Sequence, residues 1–275
     1  ASASVPGVGV SINPPTLTLA PGEQGFFTVT FTVTPSAALD TWAFGSLVWA
    51  DATHVVRSPI AVRPTALQAP AALSGTGTAG STNYEITFGF AGDFTAAPHG
   101  LAAAQVQAGT VVDDPANDIN VALGSDVGIT VHAVTIPAGS LYARFSLFDS
   151  ETDGVDDLDL YVFGPTGAFV GGSGSGTSAE QVNAFFPAAG TYFVIVHGWQ
   201  TDGADANYLL SSWAVPMAAA GNMNVNAPTT ATLGGTANVQ LDWNGLESDT
   251  RYLGMVSYST SGFFVDATVV DVSTK

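Results

Sequence analysis

Apolar and polar side chains alternate along most of the chain, and this pattern predicts β-strands. In residues 27–33 the apolar side chains fall on one face and threonines on the other, as a half-buried strand requires. The same alternation recurs in residues 84–90, 142–148, 158–163 and 191–196. Helical periodicity is almost absent, so the pattern predicts an all-β fold.

Two interruptions of this pattern divide the chain into predicted domains. The alternation lapses near Arg63-Pro64 and again at residues 216–221, where Pro, Ala, Met and Gly take over. A length of 275 residues suits two or three domains. We therefore predict three tandem β-sandwiches: residues 1–64, a jelly-roll-like sandwich at residues 65–215, and a small fibronectin- or immunoglobulin-like sandwich at residues 216–275.

Charge and composition restrict the partners. Asp and Glu number 23 against 5 Lys and Arg, which gives a formal net charge of -18. Nucleic acids and anionic membranes both attract basic surfaces, so we expect neither as a partner. The chain has no cysteine, which excludes disulfides and cysteine nucleophiles. Residues 1–4 lack the layout of a signal peptide, so we expect a mature protein or a fragment of one.

Catalytic motifs are not evident. The four histidines are scattered without the spacing of a metal site, and no Gly-x-Ser-x-Gly elbow occurs. Residues 75–80 match a dinucleotide-binding fingerprint, but no buried strand precedes them and no helix is predicted after them. We interpret the glycine-rich residues 171–176 as a flexible turn. The chain is therefore expected to be non-catalytic, although the sequence leaves open a hydrolase that uses a pair of aspartates.

Residues 149–159 form a strongly acidic segment. Asp149, Glu151, Asp153 and Gly154 take the first, third, fifth and sixth positions of a calcium-loop pattern. The twelfth position is Leu160, which excludes an EF-hand and leaves a shorter calcium-binding turn. The predicted calcium ligands are Asp149, Glu151, Asp153, Asp156, Asp157 and Asp159. The alternative is a solvated acidic hairpin without a metal.

Aromatic residues provide a second candidate site. Trp199 follows a predicted strand, and Tyr161, Phe163 and Tyr208 would lie near it if the strands pair. An exposed aromatic platform would bind sugar or extended peptide, so Trp199 and Tyr161 are the candidate binding residues. The alternative is that these rings pack in a core or at its rim, as we expect for the other four tryptophans.

Several short segments carry motifs of known domain families. Residues 44–51, with Gly-Ser-Leu and Trp, and residues 54–62, with Val-Arg-Ser-Pro-Ile, resemble the fibronectin type III-like domain that follows the catalytic domain of secreted subtilisin-like serine proteases. Residues 157–162 and 190–199, with Asp-Leu-Asp-Leu-Tyr-Val and Val-His-Gly-Trp, resemble the bacterial pre-peptidase C-terminal domain, a β-sandwich. Residues 250–254 are similar to a further small sandwich of some bacterial subtilases.

The resemblance implies a non-catalytic C-terminal region of a secreted subtilisin-like serine endopeptidase. Such a region would support stability, secretion or substrate docking outside the cell. Its expected partners are the upstream subtilase catalytic domain and a protein or polysaccharide substrate. The subtilase motifs His-Gly-Thr and Gly-Thr-Ser-Met-Ala are absent, so the triad of such a parent would lie upstream of Ala1. The alternative is a stand-alone extracellular adhesion module that binds carbohydrate or protein.

Overall fold

A computed structural model describes all 275 residues, and strands make up nearly all of its regular structure. The helical segments are one short α-helix, α1 (Ile119–Ser125), and a single 3₁₀ turn at Asp149–Glu151. Neither segment has the length and apolar character needed to cross a membrane. The all-β class predicted from the alternation is confirmed.

The N-terminal domain, residues 1–62, has two small antiparallel sheets. Its strands are β1 (Ser2–Ser4), β2 (Val8–Asn13), β3 (Thr28–Val33), β4 (Ala43–Ala50) and β5 (Val55–Val62). One sheet has the order β1-β4-β5, and β2 pairs with β3 in the other. Only Val5 and Leu47 are buried in this domain. Trp42, which we expected in a core, is 59% exposed.

The next five strands do not form a sandwich by themselves. They are β6 (Leu67–Gln68), β7 (Ala72–Thr76), β8 (Gly80–Phe88), β9 (Gly92–Asp93) and β10 (Thr95–Ala103). Among these strands, no two pair except β6 and β8. The remaining edges pair with strands far along the chain.

A complete sandwich follows within one continuous stretch, residues 105–216, which we call the inserted sandwich. Its strands are β11 (Gln105–Val112), β12 (Ile129–Ile136), β13 (Ser140–Ser146), β14 (Asp157–Phe163), β15 (Phe169–Ser173), β16 (Gln181–Phe185), β17 (Gly190–Gln200) and β18 (Asp205–Pro216). They form two antiparallel sheets, β11-β18-β13-β16 and β12-β17-β14-β15. Between the sheets lies a core of 16 buried residues that includes Phe145, Leu158 and Val194.

The last strands complete the sandwich that β6–β10 began, and together we call them the carrier sandwich. They are β19 (Met223–Asn226), β20 (Thr230–Ala231), β21 (Thr236–Trp243), β22 (Arg251–Thr260) and β23 (Phe263–Ser273). The two main sheets are β19-β21-β8-β6 and β10-β22-β23-β7. Their shared core of 17 buried residues joins Tyr84 and Phe88 to Trp243 and Tyr258.

This arrangement corrects the predicted domains at residues 65–215 and 216–275. β8 pairs with β21 from Gly80↔Trp243 to Thr87↔Thr236, so residues on both sides of the inserted sandwich belong to one folding unit. Neither half of the carrier sandwich buries a core without the other. The lapse of alternation at residues 216–221 marks a return to the carrier sandwich rather than the start of a separate domain.

The inserted and carrier sandwiches share a third core. Leu253 and Met255 of β22 pack with Tyr142 and Trp213 of the inserted sandwich. Tyr252 and Val256, on the opposite face of the same strand, lie in the carrier core. β22 is therefore buried on both faces, which explains its nearly continuous apolar run. Apolar residues on both faces of this strand therefore indicate packing against two cores, one on each face.

Charged pairs add to this contact. The Arg144 guanidinium donates to Asp271 Oδ2 at 3.0 Å. Arg251 lies over the Phe148 ring at 3.7 Å and donates to Glu151 Oε1 at 3.3 Å. Lys275 Nζ donates to the same Glu151 oxygen. Three of the chain's five cationic side chains are thereby held between these two sandwiches.

Candidate functional site

β14 carries acidic and aromatic candidates on a single face. Leu158, Leu160 and Val162 point into the core of the inserted sandwich, so the alternate residues Asp157, Asp159 and Tyr161 lie on the opposite face. This is the direction predicted for Asp159. Asp159 is nevertheless only 4% exposed, because the glycine-rich β15 and the residues after it pass close to its carboxylate.

The six predicted calcium ligands do not gather at one point. Asp149, Asp156 and Asp157 line one pocket, together with Thr152 and Gly154. Two others, Glu151 and Asp153, line a different pocket beside Asn207 and Tyr208, and Asp159 lines a third. No group of three or more His, Asp or Glu side chains has the arrangement of a metal site. The sequence proximity of these carboxylates therefore overstates their proximity in space.

Two of the six carboxylates are occupied by partners in the protein. Asp153 accepts hydrogen bonds from the Asn207 backbone N–H at 2.7 Å and from Asn207 Nδ2 at 2.6 Å, and these bonds lower the pKa of Asp153. Glu151 Oε1 accepts from Arg251 and Lys275. Asp153 thereby connects the acidic segment to β18, and Glu151 connects it to the carrier sandwich.

Asp156 and Asp157 have oxygens without protein partners. Asp156 is 7% exposed; its Oδ1 accepts from the Asp202 backbone N–H at 3.0 Å, and its Oδ2 has no partner. Asp157 Oδ1 is likewise buried and unpaired. Burial, followed by the charges of Asp159 and Glu180, raises the pKa of Asp157. Glu151 Oε2 is also buried and unpaired, so three buried carboxylate oxygens of the acidic segment lack the donors or cations that such groups normally require.

Tyr161 and Trp199 line a common open cleft of ≈ 580 Å³, which we call the aromatic cleft. Its other lining residues are Asp159, Phe169 and the segment 172–175. Trp199 is 37% exposed and Phe169 61% exposed. The cleft thus combines two accessible rings with a buried carboxylate below them.

The neighbours predicted for Trp199 are only partly those found. Phe163 packs against Phe169, with ring centroids 5.5 Å apart, and does not line the cleft. Tyr208 is buried on the opposite sheet, where its hydroxyl contacts His132 Nε2 at 2.8 Å. Phe169 was not predicted from the sequence, because its placement depends on the pairing of β15 with β14.

A buried histidine lies behind the cleft. His197 is fully buried, with Nε2 2.9 Å from Asp114 Oδ2 and Nδ1 3.4 Å from Asp159 Oδ2. Burial alone would lower the pKa of His197, but the hydrogen bonds and charges of the two carboxylates raise it overall. The sequence did not reveal this cluster because Asp114 and His197 are 83 positions apart.

The Asp114 carboxylate is held by its own loop. Its oxygens accept from the backbone N–H groups of Ala116 at 3.0 Å and Asp118 at 2.9 Å. Burial tends to raise the pKa of Asp114, but the hydrogen bonds from His197 and these two amides lower it overall. Asp114 therefore stays ionised beside His197.

Two segments of the chain match known families. Residues 1–62 match the fibronectin type-III domain, and residues 119–198 match the bacterial pre-peptidase C-terminal domain. These are the two families recognised from the sequence, and both are non-catalytic modules. The first matched segment is the N-terminal domain, and the second lies within the inserted sandwich.

The other comparisons add little. No curated protein sequence matches the chain. Among solved structures, a variant of the adhesin CfaE of the enterotoxigenic E. coli CFA/I system shares 7% sequence identity, with 94% of this chain and 66% of that chain covered. The chain thus spans just under two thirds of the length of that adhesin. The TM-score is 0.14, so this likeness supports no argument about fold or function.

Proposed function

We propose that the chain is the non-catalytic C-terminal region of a secreted subtilisin-like serine protease and that it docks the enzyme on its protein substrate through the aromatic cleft. The pairing of a fibronectin type-III domain with a bacterial pre-peptidase C-terminal domain supports this proposal. The latter is typical of secreted bacterial proteins and is associated with the C-termini of peptidases. An extracellular location follows from the same proposal.

The observation that carries the docking role is the exposure of Trp199 and Phe169 on a rigid sheet. Both rings line the cleft together with Tyr161, and all three are held by paired strands. Exposed aromatic rings gain contact area on binding at little cost in conformational entropy. A protein ligand that covers them would therefore be held chiefly by these few side chains.

Retention on insoluble matrices tests the docking role. The full chain should bind cross-linked casein, and Trp199→Ala should weaken this binding about ten-fold or more, as expected when an aromatic anchor worth ~1.4 kcal/mol or more is removed. The matched control is Trp42→Ala, because Trp42 is an exposed tryptophan in the N-terminal domain. Thermal unfolding of each variant checks that the fold is intact.

Two results would contradict docking through this cleft. One is equal retention of the Trp199→Ala variant and the unchanged chain on casein. The other is retention on microcrystalline cellulose but not on casein, which would favour the alternative of a stand-alone carbohydrate-binding adhesion module.

The proposed parent enzyme is tested by the sequence encoded upstream of Ala1. A subtilisin-like catalytic domain in the same reading frame is the expected result, and a cell-wall anchor or an unrelated enzyme would overturn the proposal. The purified chain alone should not cleave casein, because the family matches are to non-catalytic modules. Cleavage that a serine-directed inhibitor blocks would contradict this.

We also propose that Asp149, Asp156 and Asp157 hold a calcium ion that stabilises the inserted sandwich. Support comes from the unpaired, buried Asp156 Oδ2 and Asp157 Oδ1, in the pocket that Asp149 lines. Calcium binds hard oxygen ligands in flexible geometry. The three carboxylates do not have the arrangement of a metal site in this structure, so they would have to move closer together to bind the ion. Glu151 and Asp153 are not part of this reduced set.

Melting temperatures at constant ionic strength test the calcium proposal. A ligand that binds only the folded state at one hundred times its Kd stabilises it by about 2.7 kcal/mol, so millimolar calcium should raise the melting temperature by several degrees. Asp156→Asn and Asp157→Asn should blunt the rise. Asp153→Asn is the control, since Asp153 is bonded to Asn207. Identical curves in calcium and sodium would eliminate the site.

A further inference from the structure

One oxygen of the buried Asp159 carboxylate is left free at the base of the aromatic cleft. Both contacts of this side chain use Oδ2, which accepts from the Tyr161 hydroxyl at 3.1 Å and lies 3.4 Å from His197 Nδ1. Oδ1 has no hydrogen-bond partner in the protein and lies on the side of Gly174, which also lines the cleft. Because Asp159 lines the cleft, this free oxygen can accept a hydrogen bond from a donor that enters the cleft.

The surroundings of Asp159 carry excess negative charge. Burial, followed by the charges of Asp159, Glu180 and Asp118, raises the pKa of Tyr161 to about 12. The charges of Asp159 and Glu180 also contribute to the raised pKa of Asp157. The one group nearby that can carry positive charge is His197, and it is shared with Asp114. A cation entering the cleft would therefore reduce an uncompensated repulsion.

The chain itself has no cation to supply. Of its five Lys and Arg residues, Arg144 is paired with Asp271, and Arg251 and Lys275 are both held by Glu151. Arg57 lies on β5 of the N-terminal domain, and Arg63, directly after that domain, is paired with Asp40. No Lys or Arg of the chain pairs with Asp159, so a cationic ligand would meet no competing Lys or Arg partner at this carboxylate.

The walls of the cleft suit an organic cation. Trp199, Phe169 and Tyr161 all line it, and cations bind favourably over aromatic faces within ~6 Å of the ring centre. A guanidinium group fits this combination best, because its planar face stacks on a ring while its edge donates to a carboxylate. The overall charge of -18 would in addition attract a basic segment toward this surface.

The glycine-rich strand β15 and the residues after it keep this space open. A Cβ atom on Gly174 would lie 2.7 Å from Asp159 Oδ1, and one on Gly172 would lie 2.9 Å from Tyr161 Cδ1. Side chains at these two positions would fill the base of the cleft. The glycines, which we interpreted from the sequence as a flexible turn, thus have a steric role in access to Asp159.

We propose that the aromatic cleft is a subsite for a single arginine or lysine side chain of an extended peptide, with Asp159 Oδ1 as the acceptor and the aromatic rings as its walls. This inference rests on the proposed docking role and specifies which residue of the bound protein the cleft selects. Arginine is preferred over lysine for the geometric reason given above.

Binding of a matched pair of peptides tests the subsite. The probes are blocked, dye-labelled pentapeptides with glycine on both sides of a central arginine or of citrulline, which has nearly the same shape without the charge. Fluorescence anisotropy with the full chain at low salt should show at least ten-fold tighter binding of the arginine peptide. Asp159→Asn should abolish that preference, since it removes the charge and keeps an oxygen for Tyr161.

A second variant keeps the test informative if Asp159→Asn unfolds the domain. Gly174→Ala should weaken binding of the arginine peptide, because its Cβ crowds Asp159 Oδ1. Gly176→Ala is the matched control, since a Cβ at Gly176 meets nothing within 4 Å. Melting curves verify the fold of both variants.

The possible failures can be told apart. Equal binding of arginine and citrulline peptides would overturn the subsite, whereas Trp199-dependent retention on casein would still support docking. Loss of the arginine preference in millimolar calcium, at constant ionic strength and only when Asp159 is present, would assign Oδ1 to a metal ion and also overturn the subsite. An arginine preference without Trp199-dependent retention would support the subsite and contradict docking.

Discussion

The N-terminal domain and the inserted sandwich have the same alternating pattern but very different packing. In β14 the apolar residues Leu158, Leu160 and Val162 are fully buried between two four-stranded sheets. In β3, Phe31 remains 43% exposed, because β3 pairs only with β2 and no extended second sheet covers it. Alternation therefore predicts that a strand has an apolar face, whereas burial depends on the sheet that packs against it.

Limited proteolysis should show the largest difference between these regions. We expect the first cut near residues 63–66, which separates the N-terminal domain, while residues 216–221 resist. The latter segment is tied down: Met217 N donates to Gly139 O at 3.0 Å and Ala220 N donates to Gly100 O at 3.1 Å. Mass spectrometry of the fragments checks this. A first cut at residues 216–221 would restore the predicted boundary there.

Core truncation should distinguish the same regions by free energy. Leu158→Ala removes a fully buried side chain, and we expect a loss of about 2–5 kcal/mol in the unfolding free energy of the inserted sandwich. Phe44→Ala is the control in the N-terminal domain, where the ring is largely exposed, and should change stability by about 0.5 kcal/mol or less. Urea denaturation measures both. Similar losses would mean that the N-terminal domain buries Phe44 in solution.

Removing two ion pairs that differ in burial should give a smaller difference in unfolding free energy. Arg144→Ala breaks a pair between the two sandwiches and should cost about 2–3 kcal/mol. This is less than for a fully buried pair, since the Asp271 side chain keeps 40% exposure. Arg63→Ala removes an exposed pair with Asp40 and should cost about 0–1 kcal/mol. Urea denaturation in low and high salt measures the loss of unfolding free energy for each variant. Equal losses for Arg144→Ala and Arg63→Ala would contradict this ranking.

The smallest effect concerns pH. Asp159 and Asp114 raise the pKa of His197 despite its burial. The contribution of His197 to the free energy of unfolding is therefore fully present below the ordinary histidine pKa of about 6.5, and it is lost as pH rises through the raised value. The melting temperature of the inserted sandwich should therefore fall between pH 6 and pH 9. His197→Gln should flatten this slope. His54→Gln, a change at an exposed histidine of the N-terminal domain, should leave it unaltered.

Local patterns revealed what adjacent residues determine. The strand class, the opposite directions of Asp159 and Leu158, and the likeness of residues 44–62 to a fibronectin type III-like domain were all readable from short segments. Residues 157–162 and 190–199 likewise identified the pre-peptidase C-terminal domain. Each of these signals lies within one or two strands.

Long-range pairing was not readable in this way. β8 and β21 are separated by the whole inserted sandwich, so no local signal shows that they are neighbours. The spread of the acidic segment over three pockets was unreadable for a related reason: Glu151 bonds to Arg251 of the carrier sandwich, and Asp153 bonds to Asn207 of β18. The orientation of the Glu151 and Asp153 carboxylates thus depends on hydrogen-bond partners that are distant in the sequence.

The division of the carrier sandwich into two distant segments determines the order in which the protein can fold. The strands of the inserted sandwich are contiguous, so this unit can close as soon as residues 105–216 are available. In the carrier sandwich, β10 and the second edge of β8 remain without their partners until β22 and β21 are available. During synthesis, the completed inserted sandwich would hold its two ends near each other, which shortens the search of β8 and β10 for β21 and β22.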